Sequence, residues 1–479
     1  MGSAHPFLIG NRWQHSATTV PVINPFNGDR VAEVCQAGKT EAEDAIRASV
    51  TAFSAMRRLP ALARAAALGT IAGRVTARRE ELARTITAEA GKPIADARRE
   101  VSRAIQTFTV AAEEAKRIPG EVIPMDLSPG MDASLGIVRR FPVGPVLGIT
   151  PFNFPLNLVA HKVAPCFACG NPIVLKPAPQ TPLTALMLGE IVLEAGLPAG
   201  ALSVLPCDNT VAEQMVTDPR FKVLSFTGSA AVGWMLKAKS GKKRVLLELG
   251  GNAGVIIEPD ADLDLAAQRC AVGGYVYSGQ SCISVQRVFV HHSVYDRFVE
   301  RFLVRVKALK SGDPFDEATV VGPLINEAAA RRVEDWIGEA VAQGARLLAG
   351  GKRSGSVVEA TVLADVTPTM KVSCREVFGP VVTVTRYTEF EEALEALNDS
   401  EFGLQAGVFT RDVERVFRAY RDLEVGTVLV NESPTFRAEH MPYGGVKDSG
   451  LGREGVPYAI EEMTELKLLV LNLKESGNT

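Results

Sequence analysis

The chain predicts an α/β fold of two doubly wound parallel sheets with a small β arm. Three observations carry the prediction. From about residue 171 to 247, short β-branched runs alternate with helical patterns, the rhythm of a parallel sheet covered by helices on both faces. The same rhythm restarts after LLELGGN and runs on past residue 430. A length of 479 residues also exceeds what one core organises, so two or three domains are expected.

Residues 40–117 read as helical. TEAEDAIRASVTAFSAMRRL and REELARTITAEAGKP place apolar residues at helical spacing, with acids early and a glycine stop. From 135 to 149 the chain reads as extended, punctuated by prolines. NPIVLKPA then precedes the helix PLTALMLGEIVLEAGLPAG, GALSVLP precedes a helix around 211–217, and FKVLSFTG leads into SAAVGWMLKAKSG. The second block runs through GVIIEPDA, DLDLAAQRCAVGGYVYSG, SVQRVFVHHSV, YDRFVERFLVRVKALKSG, PVVTVTRY, EEALEALND and GTVLVN. A domain change near 247 follows. The closing TELKLLVLNL is an apolar strand with no partner nearby in sequence, and such a strand can pair with a neighbouring subunit.

Composition narrows the function classes. Apolar content of 46% and charged content of 22% describe an ordinary soluble globular protein. A net charge of −3 lacks the basic field that nucleic acid binding needs. MGSAHPFLIGNRW is too short and broken for a secretion signal. The most apolar stretch is interrupted by prolines, Asn153, His161 and Lys162, which excludes a membrane span. Seven scattered cysteines, an odd number, suit free thiols in a reducing compartment, so the cytoplasm is expected. Cys166 and Cys169 lie in an apolar helical run that reads as packing rather than redox. Six histidines show no metal-ligand cluster, and no metal is expected.

A few positions could carry chemistry. Cys282 stands behind the small turn Gly279-Gln280-Ser281, where a nucleophile would be approachable. Glu248 ends an apolar run, where burial raises a carboxyl pKa towards that of a general base; a paired structural carboxylate is the plainer reading. Asn153 lies in the proline-stiffened TPFNFP, as an oxyanion donor or a loop tie. FKVLSFTGSAAVG offers a helix N-terminus after a glycine turn, suited to phosphate or simply a tight turn. Lys176 ends an apolar strand, where it could bond ribose hydroxyls or stand in solvent. Residue 179, three further on, is Pro, which removes one carboxylate partner for a ribose 2′-hydroxyl.

PFNFP, LKPA, FTGS, ELGG, GQSC, EVFGP and PYGGVKDSGLGREG occur in that order. Together they resemble the aldehyde dehydrogenase superfamily over about residues 20–470. The resemblance implies a Rossmann-like dinucleotide-binding domain over 1–122 and 142–247, a catalytic domain over 248–440, and an oligomerisation arm over 123–141 and 460–479. It also implies a homodimer or homotetramer. In that family a cysteine thiolate, here Cys282, attacks the aldehyde. Asn153 and the Cys282 N–H hold the oxyanion, hydride passes to NAD or NADP, and Glu248 activates water against the resulting thioester. Lys162 and Glu454 match a proton relay. The cofactor residues carried over are Ile149, Thr150, Pro151, Phe152, Lys176, Pro179, Phe226, Thr227, Gly228, Ser229, Val232, Leu249, Gly250, Glu376 and Phe378. Glu248 argues against a CoA-acylating relative, and the intact motif set argues against a non-catalytic structural one. Pro179 leaves NAD and NADP both open.

Alignment of the same motifs places Arg103, Phe154, Asn157, His161, Ser281, Ile283, Arg437 and Tyr443 on the substrate tunnel. Two arginines, an amide and an imidazole would suit a small polar or anionic aldehyde, much as in phosphate- and phosphonate-recognising branches of the family; a surface salt bridge is the plainer reading of each arginine. Those branches often carry Arg directly before the nucleophile. Ser281 stands there instead, which leaves room for lactaldehyde-like or semialdehyde-like substrates.

Overall fold

Four helices, Lys39–Met56, Ala61–Ala77, Arg79–Ala90 and Ile94–Glu114, occupy the segment that the apolar spacing marks as helical. The computed structural model that shows them describes residues 4–473; residues 1–3 and 474–479, which the expected first domain and arm include, lie outside. Gly91 ends the third helix in the left-handed region at φ 66°, as the glycine stop predicts.

An eight-stranded sheet follows the order Arg12–Gln14, Phe7–Ile9, Leu202–Val204, Ile173–Lys176, Val146–Ile149, Val223–Thr227, Arg244–Glu248, Gly450–Leu451. Its centre is parallel. Its edges are not: the hairpin of residues 7–14 and the late Gly450–Leu451 pair antiparallel. Short edge pieces of two or three residues carry too little alternation to be seen in sequence. A seven-stranded sheet, largely parallel, takes Arg346–Ala349, Thr361–Ala364, Val381–Tyr387, Val285–His291, Ala253–Ile257, Gln405–Phe409 and Thr427–Val430 in that order. The apolar strand Thr464–Asn472 finds its partner inside its own chain, antiparallel to Ser134–Pro142 along its whole length. It stands at the edge of a three-stranded sheet, with Leu466, Leu468, Leu469 and Val470 exposed.

Register sets the site. Phe226 lies beside Ile149, Ile149 beside Lys176, and Thr227 beside Glu248. Four motif residues thus share the carboxyl edge of one parallel sheet, where such folds bind ligands.

The helix Asn157–Cys169 is buried along its entire length, so its polar residues need partners. Its start is held by Glu100, whose Oε1 accepts the Leu156 and Asn157 N–H groups at 2.9 and 3.1 Å. Glu100 also forms a fully buried ion pair with Lys92. The Lys92 ammonium lies over the rings of Phe154 and Tyr277, at 3.7 and 4.5 Å from their centroids. One ion pair therefore ties the Asn153 loop to the turn before Cys282. Glu100→Ala would leave a buried ammonium and two peptide N–H groups unpaired. A loss of about 3–5 kcal/mol is expected by urea unfolding; a loss below about 1 kcal/mol would show that the pair does not hold these loops.

Candidate active site

Cys282 is delivered by an unusual turn. Tyr277, Ser278 and Gly279 follow one another at φ 49°, 56° and 69°. For the two non-glycine residues this costs roughly 1–2 kcal/mol each, so the turn has to be held. Ser278 Oγ donates to Gly322 O at 2.7 Å and the Tyr277 hydroxyl to Ala90 O at 3.2 Å. Gln280 clamps the next step, donating to Pro323 O and accepting from Ile325 N. A Cβ on Gly279 would lie 2.2 Å from Gly379 O. After the turn, the Cys282 carbonyl oxygen lies 2.0 Å from where a Cβ on Gly251 would be. The second glycine of ELGG exists so that GQSC can lie against it.

The Cys282 thiol is partly buried and 3.0 Å from the Tyr443 hydroxyl. Burial pushes it up to about 12; the Tyr443 hydrogen bond and Arg437 pull down, while Glu376 and Glu248 push further up. Asn153 Nδ2 donates to Gln280 O at 3.0 Å. A carbonyl can only accept, so this contact assigns the amide nitrogen to the Cys282 side. One Asn153 N–H remains for another acceptor.

Glu248 ends the strand Arg244–Glu248 and is buried. Burial first, then the neighbouring Glu454, raises its pKa well above the ordinary carboxyl value, and its Oε2 has no partner. Glu454 is buried too, yet Lys162 and Arg437 outweigh that burial and hold it low. Lys162 Nζ reaches Glu454 Oε1 at 3.2 Å, and Arg437 Nη2 reaches Oε2 at 3.1 Å. The two carboxyls are therefore pushed apart: their surroundings favour the ionised form of Glu454 and disfavour that of Glu248.

Around Cys282 opens a cavity of about 340 Å³. Arg103, Asn153, Phe154, Asn157, Ser281, Ile283, Arg437 and Tyr443 line it, together with Pro151, Phe152, Thr227, Gly228, Ser229, Leu249, Gly250, Glu376 and Phe378. Some expected residues lie off this wall. Lys176 is buried near Cys207 and Asp208, at the end of its strand. Pro179 borders a separate groove, and Ile149, Thr150, Phe226 and Val232 are not on the wall either. His161 corrects the tunnel expectation. It is 1% exposed and sits behind the wall, its Nε2 2.5 Å from Glu439 Oε2. An imidazole on a fully buried helix takes the nearest carboxylate rather than a ligand.

Glu439, Leu158 and Arg332 were not foreseen. Glu439 accepts from Arg103 Nε at 2.6 Å, and the flanking cations and His161 hold it well below the usual carboxylate range against its burial. An acid between Arg437 and Tyr443 was the available signal. Nothing in the sequence marks Leu158 for the wall. Arg332 donates to Val377 O at 2.7 Å beside Glu376.

The Thr227-Gly228-Ser229 turn fits a dinucleotide. Thr227 Oγ1 is buried without a partner, and Ser229 leads the ten-residue helix Ala230–Lys239 without capping it through its side chain. Open N–H groups at a helix N-terminus receive a diphosphate. A Cβ on Gly250 would lie 2.7 Å from Glu376 Oε2, so the glycine keeps that carboxyl beside the groove. Burial pushes Glu376 up to about 7, against its hydrogen bond from Gly251 N.

A dinucleotide groove that ends on a thiol places the molecule among the nicotinamide-dependent oxidoreductases. Comparison with known proteins makes the assignment narrower: residues 13–469 match the Aldehyde dehydrogenase family, and the chain belongs to it. It is an NAD(P)-dependent aldehyde dehydrogenase. The chain is 43% identical over 470 residues to the 3-sulfolactaldehyde dehydrogenase of Priestia aryabhattai, covering 97% of each chain. It superposes with a TM-score of 0.97, at 46% identity, on aldehyde dehydrogenase 21 from Physcomitrella patens in complex with the reaction product succinate, covering 99% of this chain and 100% of that one. Glyceraldehyde-3-phosphate dehydrogenase GapN from Methanocaldococcus jannaschii, complexed with NADP, superposes at 0.92 with 40% identity, over 95% and 100% of the chains. Among the described residues no helix is long and apolar enough to cross a membrane, and no group of three or more His, Cys, Asp or Glu could hold a metal ion.

Gly279→Ala should destabilise the protein by more than about 1 kcal/mol from φ alone, and should abolish turnover by moving Cys282. Ser281→Ala on the same turn should retain the wild-type melting temperature. Equal melting temperatures for both variants would show that the turn is not constrained at Gly279.

Proposed function

We propose that this enzyme oxidises a small anionic aldehyde to the free carboxylic acid through a covalent bond to Cys282. The Cys282 sulfur attacks the aldehyde carbon, and the resulting oxyanion accepts hydrogen bonds from the free Asn153 N–H and the Cys282 peptide N–H. The bound nicotinamide, when present, supplies the hydride acceptor that leaves a thioester on Cys282. Thr227, Gly228 and Ser229 would hold its diphosphate, with Lys176 and Glu376 on its riboses and Phe378 beside the ring. Glu248 then takes a proton from water, the hydroxide displaces the sulfur, and the acid departs. Lys162 and Glu454 carry the proton away from Glu248.

One observation supports the anionic substrate. Two guanidinium side chains, Arg103 and Arg437, line the cavity that holds Cys282, where they can meet an anionic group with charge-assisted hydrogen bonds. The names of the relatives, a 3-sulfolactaldehyde dehydrogenase and an enzyme holding succinate, support the same class. Domain roles follow the expected division: dinucleotide binding over 1–122 and 142–247, catalysis over 248–440. The arm over 123–141 and 460–479 joins copies into a dimer or tetramer in the cytoplasm.

Cys282→Ala should abolish NAD(P)H formation from every aldehyde; full turnover would remove the nucleophile. Replacing Arg103 or Arg437 by Leu should lower kcat/KM for succinate semialdehyde relative to propanal about tenfold, the scale of one charge-assisted hydrogen bond. An unchanged ratio would place substrate recognition elsewhere. Glu248 acts only once deprotonated, so thioester hydrolysis should rise with pH through a midpoint above the usual carboxyl range. Glu454→Gln removes a neighbouring negative charge and should move that midpoint down in single-turnover assays. A midpoint that stays or rises would break the proposed coupling.

A further inference from the structure

The Tyr443 hydroxyl has a role that sequence comparison assigned only to the tunnel wall. We infer that Tyr443 is a catalytic residue whose O–H donates to the Cys282 thiolate, with Arg437 as the positioning residue that strengthens this donor through the ring face. The inference rests on the proposed nucleophilic role of Cys282 and adds how the sulfur is ionised.

Geometry carries it. Tyr443 is 2% exposed. Its backbone is locked by paired hydrogen bonds with Glu454, at 3.0 and 2.6 Å. The ring packs with Ile283 and Leu404 against Cys282, and its hydroxyl lies 3.0 Å from the Cys282 sulfur. The Arg437 guanidinium carbon is 3.6 Å from the ring centroid, and Glu454 holds that guanidinium in place.

While the sulfur is a thiol, either atom can donate. Once it is a thiolate, only the phenol can, so the bond strengthens on ionisation and favours the charged form. Arg437 draws electron density from the ring by its position over the face, which sharpens the O–H as a donor. The groups that act on the sulfur are Tyr443, Glu376, Glu248 and Arg437. Glu376 and Glu248 oppose ionisation of the thiol whenever they are themselves charged, so the hydroxyl and the Arg437 cation are the two groups that favour it. Burial keeps Tyr443 protonated, as a donor must be.

The test reads the thiolate without aldehyde or cofactor. Iodoacetamide alkylation of Cys282 is followed by peptide mass spectrometry across pH 6–9 in the intact protein. Tyr443→Phe should displace the log-linear pH profile towards higher pH and so slow alkylation about three- to tenfold at a given pH, the loss of thiolate being partly offset by greater intrinsic nucleophilicity. Better access alone would have the opposite sign, so alkylation as fast as wild type or faster overturns the role. Arg437→Gln should slow alkylation less, and should add little in the Tyr443→Phe background; equal effects in both backgrounds overturn the action through the ring. Incorporation of 3-fluorotyrosine at 443, the same shape with a more acidic phenol, should speed alkylation, and slowing would overturn it. Failure here leaves Cys282 as nucleophile intact, whereas full turnover by Cys282→Ala would remove that reading whatever the alkylation rates.

Discussion

Residue 251 has no side chain, and the carbonyl of Cys282 fills the space one would take. That backbone-on-backbone contact joins the two sheets at the site. Glu248 ends a strand of the first sheet, while Cys282 closes a turn just before the strand Val285–His291 of the second. Any Cβ at 251 would push the thiol away from the carboxyl. The left-handed run at 277–279 is the other half of the same constraint, since it aims the chain into that contact and is held there by hydrogen bonds to Ala90, Gly322 and Pro323. Strain of this kind persists where the surroundings over-determine it.

Burying so many charges beside a reaction centre is expensive, and the network shows how the cost is contained. Lys162, Arg437 and Glu454 satisfy one another, as do Arg103, His161 and Glu439. Among the carboxyls of this network Glu248 is the one with an unpartnered oxygen, while His161 Nδ1 and Arg437 Nε are also left without partners. Burial disfavours the charged form of the Glu248 carboxyl, and its neighbour Glu454 reinforces this. Structural stability and chemical readiness come from the same desolvation.

The wall facing the substrate carries double duties. Arg103 and Arg437 each give one side to a buried carboxylate and another to the cavity. Arg437 also stacks on Tyr443, whose hydroxyl is the hydrogen-bond partner of the thiol, and under the proposed function it would meet an anionic substrate as well. Specificity and nucleophile activation would then share one guanidinium, which a lysine lacking a planar face could not replace.

The alternation of β-branched runs with helices, the helical character of residues 40–117 and the order of the short motifs were legible in the sequence because each depends on neighbours along the chain. The family follows from them. Other features were not legible. The antiparallel edges at residues 7–14 and 450–451, the pairing of Thr464–Asn472 with Ser134–Pro142, the retreat of His161 and the entry of Glu439 all depend on segments far apart in sequence. Local pattern reports which face of an element is apolar, not which distant charge will meet a buried one. Residue types thus determined the chemistry available to this protein, and tertiary packing alone decided which buried groups are paired and which carboxyl is left to titrate, because pairing and desolvation are properties of three-dimensional neighbours.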